Sequence, residues 1–455
     1  MKEESDTPFS FNPGDNIGES ESSSFFAANK KLLIIIAVMA ILLIALAVVL
    51  IIVLTKGSDK NKKIPIPLPD IPSIRTDSYL TAKFEVTKDQ LEVKIHNIFS
   101  QPPLFINYTD AIVSVAINDI SVALNKGNYK FMKEGNYTVD IFFNGSFPIL
   151  DGFFYSCPNI IEVDLSHFDT RKTNTLRALF KACTNLKRVN FGDNLDTRNL
   201  NNISELFSSC TSLTEMDLSK LDTSNIEDMS SVFESCTNLK NINFGKIKTQ
   251  NVRTMRRLFS GCKSLSSVDL SNFDTSNVVV FESMFERCSG MSSISLKNIN
   301  TNNAKDLSGM FQDCTELILL DLDNFNTSQV FDMSFMFTNC EKLQTLSLTH
   351  FDTSEVIDMD SMFQDCKLLK KLDLSSFTNP KLMNIRDIFS GCSSLSSLDI
   401  SSFNSSLVTS MDNAFSEVPN EGELRYSSKL LTTNLLNLVP SGWKKTDVSE
   451  TTPLL

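Results

Sequence analysis

Apolar and polar residues follow three regimes along this chain. Residues 32–54, LLIIIAVMAILLIALAVVLIIVL, run without a charge or a strongly polar side chain. As a helix they would span roughly 35 Å, enough to cross a hydrocarbon core of about 30 Å. A buried soluble helix would show a polar face, and a signal peptide would be shorter and nearer the N-terminus. The pattern predicts a single membrane-spanning helix, with the lipid bilayer as partner of residues 32–54. Residues 76–150 then alternate with period two. Leu80-Thr-Ala-Lys-Phe-Glu-Val86, Leu91-Glu-Val-Lys-Ile95, Ala111-Ile-Val-Ser-Val-Ala-Ile117 and Tyr137-Thr-Val-Asp-Ile-Phe-Phe143 read as strands, with turns at Gly127 and Gly135-Asn136. They predict a small all-β unit, a β-sandwich or a sheet of five or six strands.

From residue 151 the pattern becomes periodic. The chain's 10 cysteines fall at Cys157, Cys183, Cys210, Cys236, Cys262, Cys288, Cys314, Cys340, Cys366 and Cys392. Every step is 26 residues except the 27 between Cys183 and Cys210. A phenylalanine stands three residues before each cysteine, and an eleventh copy ends at Phe415 with Val418 in the cysteine position. A fixed period of 20–50 residues predicts a solenoid. Each copy carries a Leu-x-x-Leu-x-Leu core such as Leu213 to Leu218 or Leu343 to Leu348, which reads as a strand. An Asp-Thr-Ser turn follows, as at Asp222-Thr-Ser224 and Asp274-Thr-Ser276. Met-x-x-Met-Phe-x-x-Cys, as in Met333 to Cys340, has helical spacing and predicts a short helical turn on the convex side. The expected fold is an α/β-type leucine-rich-repeat solenoid with one parallel strand per coil. It would be preceded by the all-β unit and the transmembrane helix.

The remaining segments join these parts. Residues 1–31 are polar and acidic and predict a disordered tail. Residues 55–75, with Lys60 to Lys63 and Ile64-Pro-Ile-Pro-Leu-Pro69, read as an extended linker. The β unit at 76–150 would cover the first coil of the solenoid at 151–418, since terminal repeats need capping. Residues 419–445 form the other cap, and 446–455 a flexible tail. Of all residues 42% are hydrophobic and 21% charged, as in an ordinary folded chain. The net charge of −12 argues against a nucleic-acid partner, which would want a basic stripe.

Candidate chemistry is sparse. The outward residue before the last core leucine runs Asp164, Asn190, Asp217, Asn243, Asp269, Ser295, Asp321, Ser347, Asp373 and Asp399. Charged and neutral residues alternate until the last pair, which separates like charges on neighbouring strands. That spacing reads first as fold maintenance. Single aspartates so far apart do not jointly coordinate a calcium ion, although a cation ladder is the alternative. The same row is the candidate partner-binding face. The cysteines lack the clustering of a metal site. Neighbouring coils bring them within disulfide reach, yet parallel Cβ vectors make poor bridges, so a ladder of buried thiols is the main reading. His96 lies in the β unit, while His167 and His350 occupy variable outward positions. No phosphate loop, nucleophile elbow or His-Glu-x-x-His occurs, and no cofactor or enzymatic activity is expected.

Signals for orientation conflict. Lysines at 56, 60, 62 and 63 outnumber Lys30 and Lys31, which favours a cytoplasmic C-terminal side. The ending Glu450-Thr-Thr-Pro-Leu-Leu455 matches a cytosolic acidic-dileucine pattern. Six sequons, at Asn107, Asn136, Asn144, Asn202, Asn326 and Asn404, point outward as candidate N-glycosylation sites.

Met-Phe-x-x-Cys-x-x-Leu-x-x-Leu-Asp-Leu-Ser-x-Phe-Asp-Thr-Ser-x-Val-x-x-Met, best kept in the copies from Met284, Met310, Met336 and Met362, resembles the repeat of BspA-like leucine-rich-repeat surface proteins. The resemblance covers roughly residues 151–443, including a Gly422 to Trp443 ending like that family's terminal cap. It implies a surface protein that binds matrix proteins or cells without catalysis. The internal anchor and acidic tail depart from secreted bacterial members and look like a eukaryotic type II membrane protein. The expected location is therefore the plasma membrane, with the C-terminal part extracellular. The expected partner is a protein or glycan, with self-association besides. A structural coat protein and a cytosol-facing scaffold on an endomembrane are the alternatives.

Overall fold

The computed structural model describes residues 78–97, 99–101, 104–106, 111–193 and 195–449. The N-terminal tail, the apolar run 32–54, the linker, Asn107 and residues 450–455 lie outside the described residues. Among the described residues no helix is long and apolar enough to cross a membrane.

Eight strands precede the first coil: β1 (Tyr79–Val86), β2 (Glu92–Lys94), β3 (Phe99–Gln101), β4 (Leu104–Ile106), β5 (Ile112–Ile117), β6 (Ile120–Val122), β7 (Asn128–Lys130) and β8 (Gly135–Phe143). The coils add β9 (Ile160–Asp164), β10 (Arg188–Asn190), β11 (Glu215–Asp217), β12 (Asn241–Asn243), β13 (Ser293–Ile294), β14 (Leu319–Leu320), β15 (Lys371–Asp373) and β16 (Ser397–Ile400). The chain closes with β17 (Glu421–Tyr426), helix α1 (Thr433–Leu438) and β18 (Gly442–Asp447).

The N-terminal strands share one sheet with the first coils, ordered β10-β9-β1-β8-β5-β6. β1 is antiparallel to both neighbours, with Lys83 opposite Thr138 of β8 and Glu162 of β9. Its alternation explains the placement. Leu80, Ala82, Phe84 and Val86 are buried, while Lys83 and Glu85 face out. The first coil's strand would otherwise present unpaired N–H and C=O groups, and β1 satisfies them. The β2–β7 pair lies against the same core: Val93 and Ile95 are fully buried, and Phe131 packs on Tyr137 at 4.3 Å. At the other end β17 and β18 continue β15 and β16 in parallel, and Trp443 Nε1 donates to the Pro419 carbonyl at 2.7 Å.

Repetition of the sequence becomes repetition of the core. Counting coils from their cysteines, Cys157 opens coil 1 and Cys392 opens coil 10. The phenylalanines from Phe154 to Phe389 form one stack, with successive rings such as Phe285 and Phe311 6.0 Å apart and 2° from parallel. All ten cysteines are buried free thiols. From Cys183 on, each Sγ–H donates to the carbonyl of the phenylalanine three residues before the preceding cysteine, as Cys262 to Phe233 at 3.2 Å. Burial pushes Cys183 and Cys314 up to about 12, so the thiols stay protonated and behave as small apolar groups. The threonine of Asp-Thr-Ser is buried too. Thr275 Oγ1 donates to the Asn300 carbonyl at 2.9 Å and accepts the Asn300 N–H at 2.7 Å, and the same exchange recurs at Thr249 and Thr301.

Two expectations need correction. The Met-Phe-x-x-Cys segments are not helical, and α1 in the C-terminal cap is the one α-helix among the described residues. Each segment is a run of β-turns with two residues at positive φ, such as Ala178 (54°) and Ala182 (60°) or Ser231 (56°) and Ser235 (59°). Alternate N–H groups reach across to the next coil: Ala178 to Ser204, Phe180 to Leu206, Ala182 to Ser208. An α-helix would spend those donors four residues back along its own chain. Spacings of three and four residues are common to helices and to successive turns, so the motif alone does not separate them. The structure is thus a β-solenoid of about ten turns. Nor does each coil supply a strand. Residues 266–270 of coil 5 and 344–348 of coil 8 form none, and on this face no strand ladder joins them to either neighbour. The turn face has no such gap, with one parallel bridge per coil from Ile149 to Ser410.

Candidate functional site

The outward aspartates of the strand face bend back onto their own backbone. Asp217 Oδ1 accepts the N–H of Ser219 at 2.8 Å, and Asp164, Asp269, Asp321, Asp373 and Asp399 do the same two residues on. The asparagines repeat this bond to glycine, Asn190 to Gly192 and Asn243 to Gly245, both at 3.0 Å. These glycines have φ of +69° and +57°, and a Cβ there would meet Ser166 and Ser219 of the preceding coil at 2.6 and 2.5 Å. Asp-Leu-Ser and Asn-Phe-Gly coils therefore alternate partly because they fit one another. The amide also serves its neighbour, with Asn243 Nδ2 donating to Asp217 Oδ1 at 3.1 Å. Burial opposes the charge on Asp217, but the bonds from Ser219 and Asn243 outweigh it and hold the carboxyl below its ordinary value. The Ser271 hydrogen bonds do the same for Asp269. Ser295 and Ser347 are exposed. The fold-maintenance role is what the geometry of this row displays.

The rest of the strand face divides by coil. Near the N-terminal end a groove of about 730 Å³ lies over β1 and β9–β12. Lys83, Glu162, Arg188 and Glu215 alternate in sign across it, and Lys83 Nζ lies 2.6 Å from Glu162. Of these four only Lys83 and Glu162 form an ion pair. Two further grooves flank coil 8, of about 550 and 630 Å³. Thr345 and Leu346 line both, in one of the two coils whose strand is missing. Leu319 (61% exposed) bounds one, and Leu368 with Lys370 and Lys371 bounds the other. Neither lysine has an ion-pair partner among the described residues, whereas the nearby Lys342 and Lys367 are paired with Glu316 and Glu341. Among the described residues, apolar wall, unpaired cations and free backbone groups coincide only around this coil. The sequence carried a signal that the expected face of Asp, Asn and Ser passed over: Ile318 and Leu319 fill outward positions that hold Ser292 and Ser293 one coil earlier.

The other candidates are scattered. Asn136 and Asn144 are exposed. Asn202 is half-buried, its Oδ1 accepting the Ser204 N–H, and Asn326 and Asn404 accept the N–H of Ser328 and Ser406. His96 is buried and stacked 5.3 Å from Phe153, which lowers its pKa through desolvation. His167 stacks on Tyr79, and His350 contacts the Leu322 carbonyl. Among the described residues no group of histidine, cysteine or carboxylate side chains is arranged to hold a metal ion.

Comparison with known proteins bears on the repeats. A family model described as Mycoplasma protein of unknown function, DUF285, matches residues 149–266, 228–319 and 305–424, together more than half of the chain. None of the curated proteins matches the sequence. A solved leucine-rich cell surface protein from Faecalibacterium prausnitzii A2-165 is similar at 17% identity over 66% of this chain and 87% of that one, with a TM-score of 0.34. Such a score is too low for a common overall fold, so the coil geometry alone carries the fold assignment.

Proposed function

The chain belongs to the DUF285 family, and from that premise we propose that it is a membrane-anchored surface protein whose strand face around coil 8 binds a protein ligand without catalysis. One observation carries the reading. Exposed leucines, unpaired lysines and free backbone groups meet in the two grooves beside Leu346, while the groove over coils 1–4 is lined by charges of alternating sign, with Lys83 paired to Glu162. Apolar anchors with a polar rim are what a protein partner recognises. The leucine walls and the free ammonium groups of Lys370 and Lys371 favour an acidic, apolar segment. The anchor would be residues 32–54 and the solenoid would lie outside the cell. The exposed Asn136 and Asn144 would then be open to glycosylation.

The test displays the full chain on cells and measures retention on matrix proteins and on mucosal cells. Leu319→Ser combined with Lys370→Glu and Lys371→Glu should abolish retention. Arg188→Ser with Glu215→Ser, in the mixed-charge groove of the early coils, should leave it unchanged. Equal loss from both variants, or no retention of the parent protein, overturns the reading. Protease shaving of intact cells bearing a C-terminal tag, with a deglycosylation shift, tests the orientation separately. A protected and unglycosylated tag would place the solenoid in the cytosol.

A further inference from the structure

A second surface stands apart from the grooves and has its own regularity. Just before each Met-Phe segment lies one outward residue per coil, and backbone hydrogen bonds tie these residues into an unbroken column. Phe331 N–H donates to the Lys305 carbonyl at 3.0 Å, Ile357 to Phe331 and Met383 to Ile357 at 2.9 Å. In earlier coils this column holds Asn174, Asn201, Glu227, Arg253, Val279 and Lys305. In coils 7–9 it holds Phe331, Ile357 and Met383, which are 44%, 42% and 49% exposed. Leu407, 55% exposed, stands nearby in coil 10.

We propose that this stripe is a homotypic contact, seated against the same stripe of a second copy of the chain. Three observations favour that occupant. The stripe's repeat is that of the solenoid, about 4.8 Å per strand step, and a second solenoid matches it by construction. Set antiparallel about a two-fold axis, Ile357 meets Ile357 and Phe331 meets Met383. Within the column the ends also agree, because Lys305 falls opposite Thr409. Finally, the flanking charges are already paired inside the chain, Lys381 with Glu355 at 2.6 Å and Arg386 with Asp360 at 2.7 Å. A foreign partner would gain little from salt bridges here, whereas an apolar self-contact needs none.

Four partly exposed side chains fall short of the ~800 Å² per partner of a standard stable interface. The contact is therefore weak for free chains and becomes effective where chains are concentrated side by side, as tethering does. Isologous contacts of this kind pair copies two by two and leave both strand faces free.

The experiment uses the full-length chain displayed on cells and a mild oxidant. All ten native cysteines are buried, so an introduced thiol reports alone. Ile357→Cys should yield a disulfide-linked homodimer. Glu227→Cys, in the same column five coils earlier, should not. Adding Phe331→Ser and Met383→Ser should remove the cross-link. A monomeric Ile357→Cys chain, equal cross-linking at Glu227→Cys, or a cross-link to a different protein overturns the proposal. The inference does not rest on ligand binding: the strand-face substitutions should leave this cross-link intact, so either reading can fail alone.

Discussion

Coils 1–6 and coils 7–10 share a core and differ in what they expose. Their interiors are interchangeable: the phenylalanine stack, the thiol ladder and the threonine bridges pass through both. Yet Ile318, Leu319, Phe331, Ile357, Leu368, Met383 and Leu407 are all exposed in the later coils, and no large hydrophobic residue is comparably exposed between Cys157 and Asp313. In a solenoid each coil contacts only its neighbours, so surface positions can change coil by coil without disturbing the fold. The difference separates residues that make the rod from residues that use it.

The largest expected effect tests the shared core. Phe207→Ala in coil 2 and Phe337→Ala in coil 7 each remove a fully buried ring from the middle of the stack. Each should cost about 3–5 kcal/mol, as for large-to-small changes in a close-packed core. Urea titration of both variants should give equal losses. A loss confined to one half would show that the two interiors are not equivalent after all.

A smaller effect tests the bridges. Thr275→Val leaves both the N–H and the carbonyl of Asn300 without their partner and should cost about 1–3 kcal/mol. At coil 8 the bridge is weaker. Thr353 accepts from Asn379 at 3.2 Å, where Asn379-Pro380 replaces Thr-Ser. Thr353→Val should therefore cost less, and the near-equal volumes of Thr and Val should keep the fold intact in both variants. Equal costs would mean that packing, rather than the bridge, sets the value.

Much of this division could be read from the chain. The cysteine interval gives the coil, and buried columns such as Phe259, Cys262 and Leu265 follow from it. The turns did not, because Met-x-x-Met-Phe-x-x-Cys fits a helix as well. What decides against a helix is a set of donors satisfied about one coil away, as when Phe259 N–H finds the Met284 carbonyl. Local spacing carries no record of that. The missing strand of coil 8 was equally hidden, since Leu343 to Leu348 keeps the leucine pattern while the ladder to its neighbours is absent. Ile318 and Phe331 were visible in the sequence, but an outward apolar residue draws notice only once the face is known.

The smallest effect concerns pH and separates the halves most finely. On the turn face one residue per coil joins the bridges running from Ile149 to Ser410. In coil 3 it is Asp228, between Asn202 and Thr254; in coil 8 it is Asp358, next to Asp332. Burial raises the pKa of Asp358, the carboxylates of Asp332 and Asp360 raise it further, and hydrogen bonds from the Asp360 N–H and Asn384 offset only part of this. A carboxyl whose pKa is raised by folding binds protons more readily in the folded chain. Stability is then lost as pH rises from the unfolded value through the folded one, and above that the carboxylate is a standing cost. Asp358→Asn keeps an oxygen to accept the Asp360 N–H and removes the charge. It should raise the urea midpoint at neutral pH, and the gain should shrink as pH falls through the raised pKa. Asp228→Asn removes no like-charged neighbour from the adjacent coils and should give no such gain. If the two variants respond alike across that range, the crowding of carboxylates in the later coils does not limit their stability, and the halves differ only in their exposed apolar side chains.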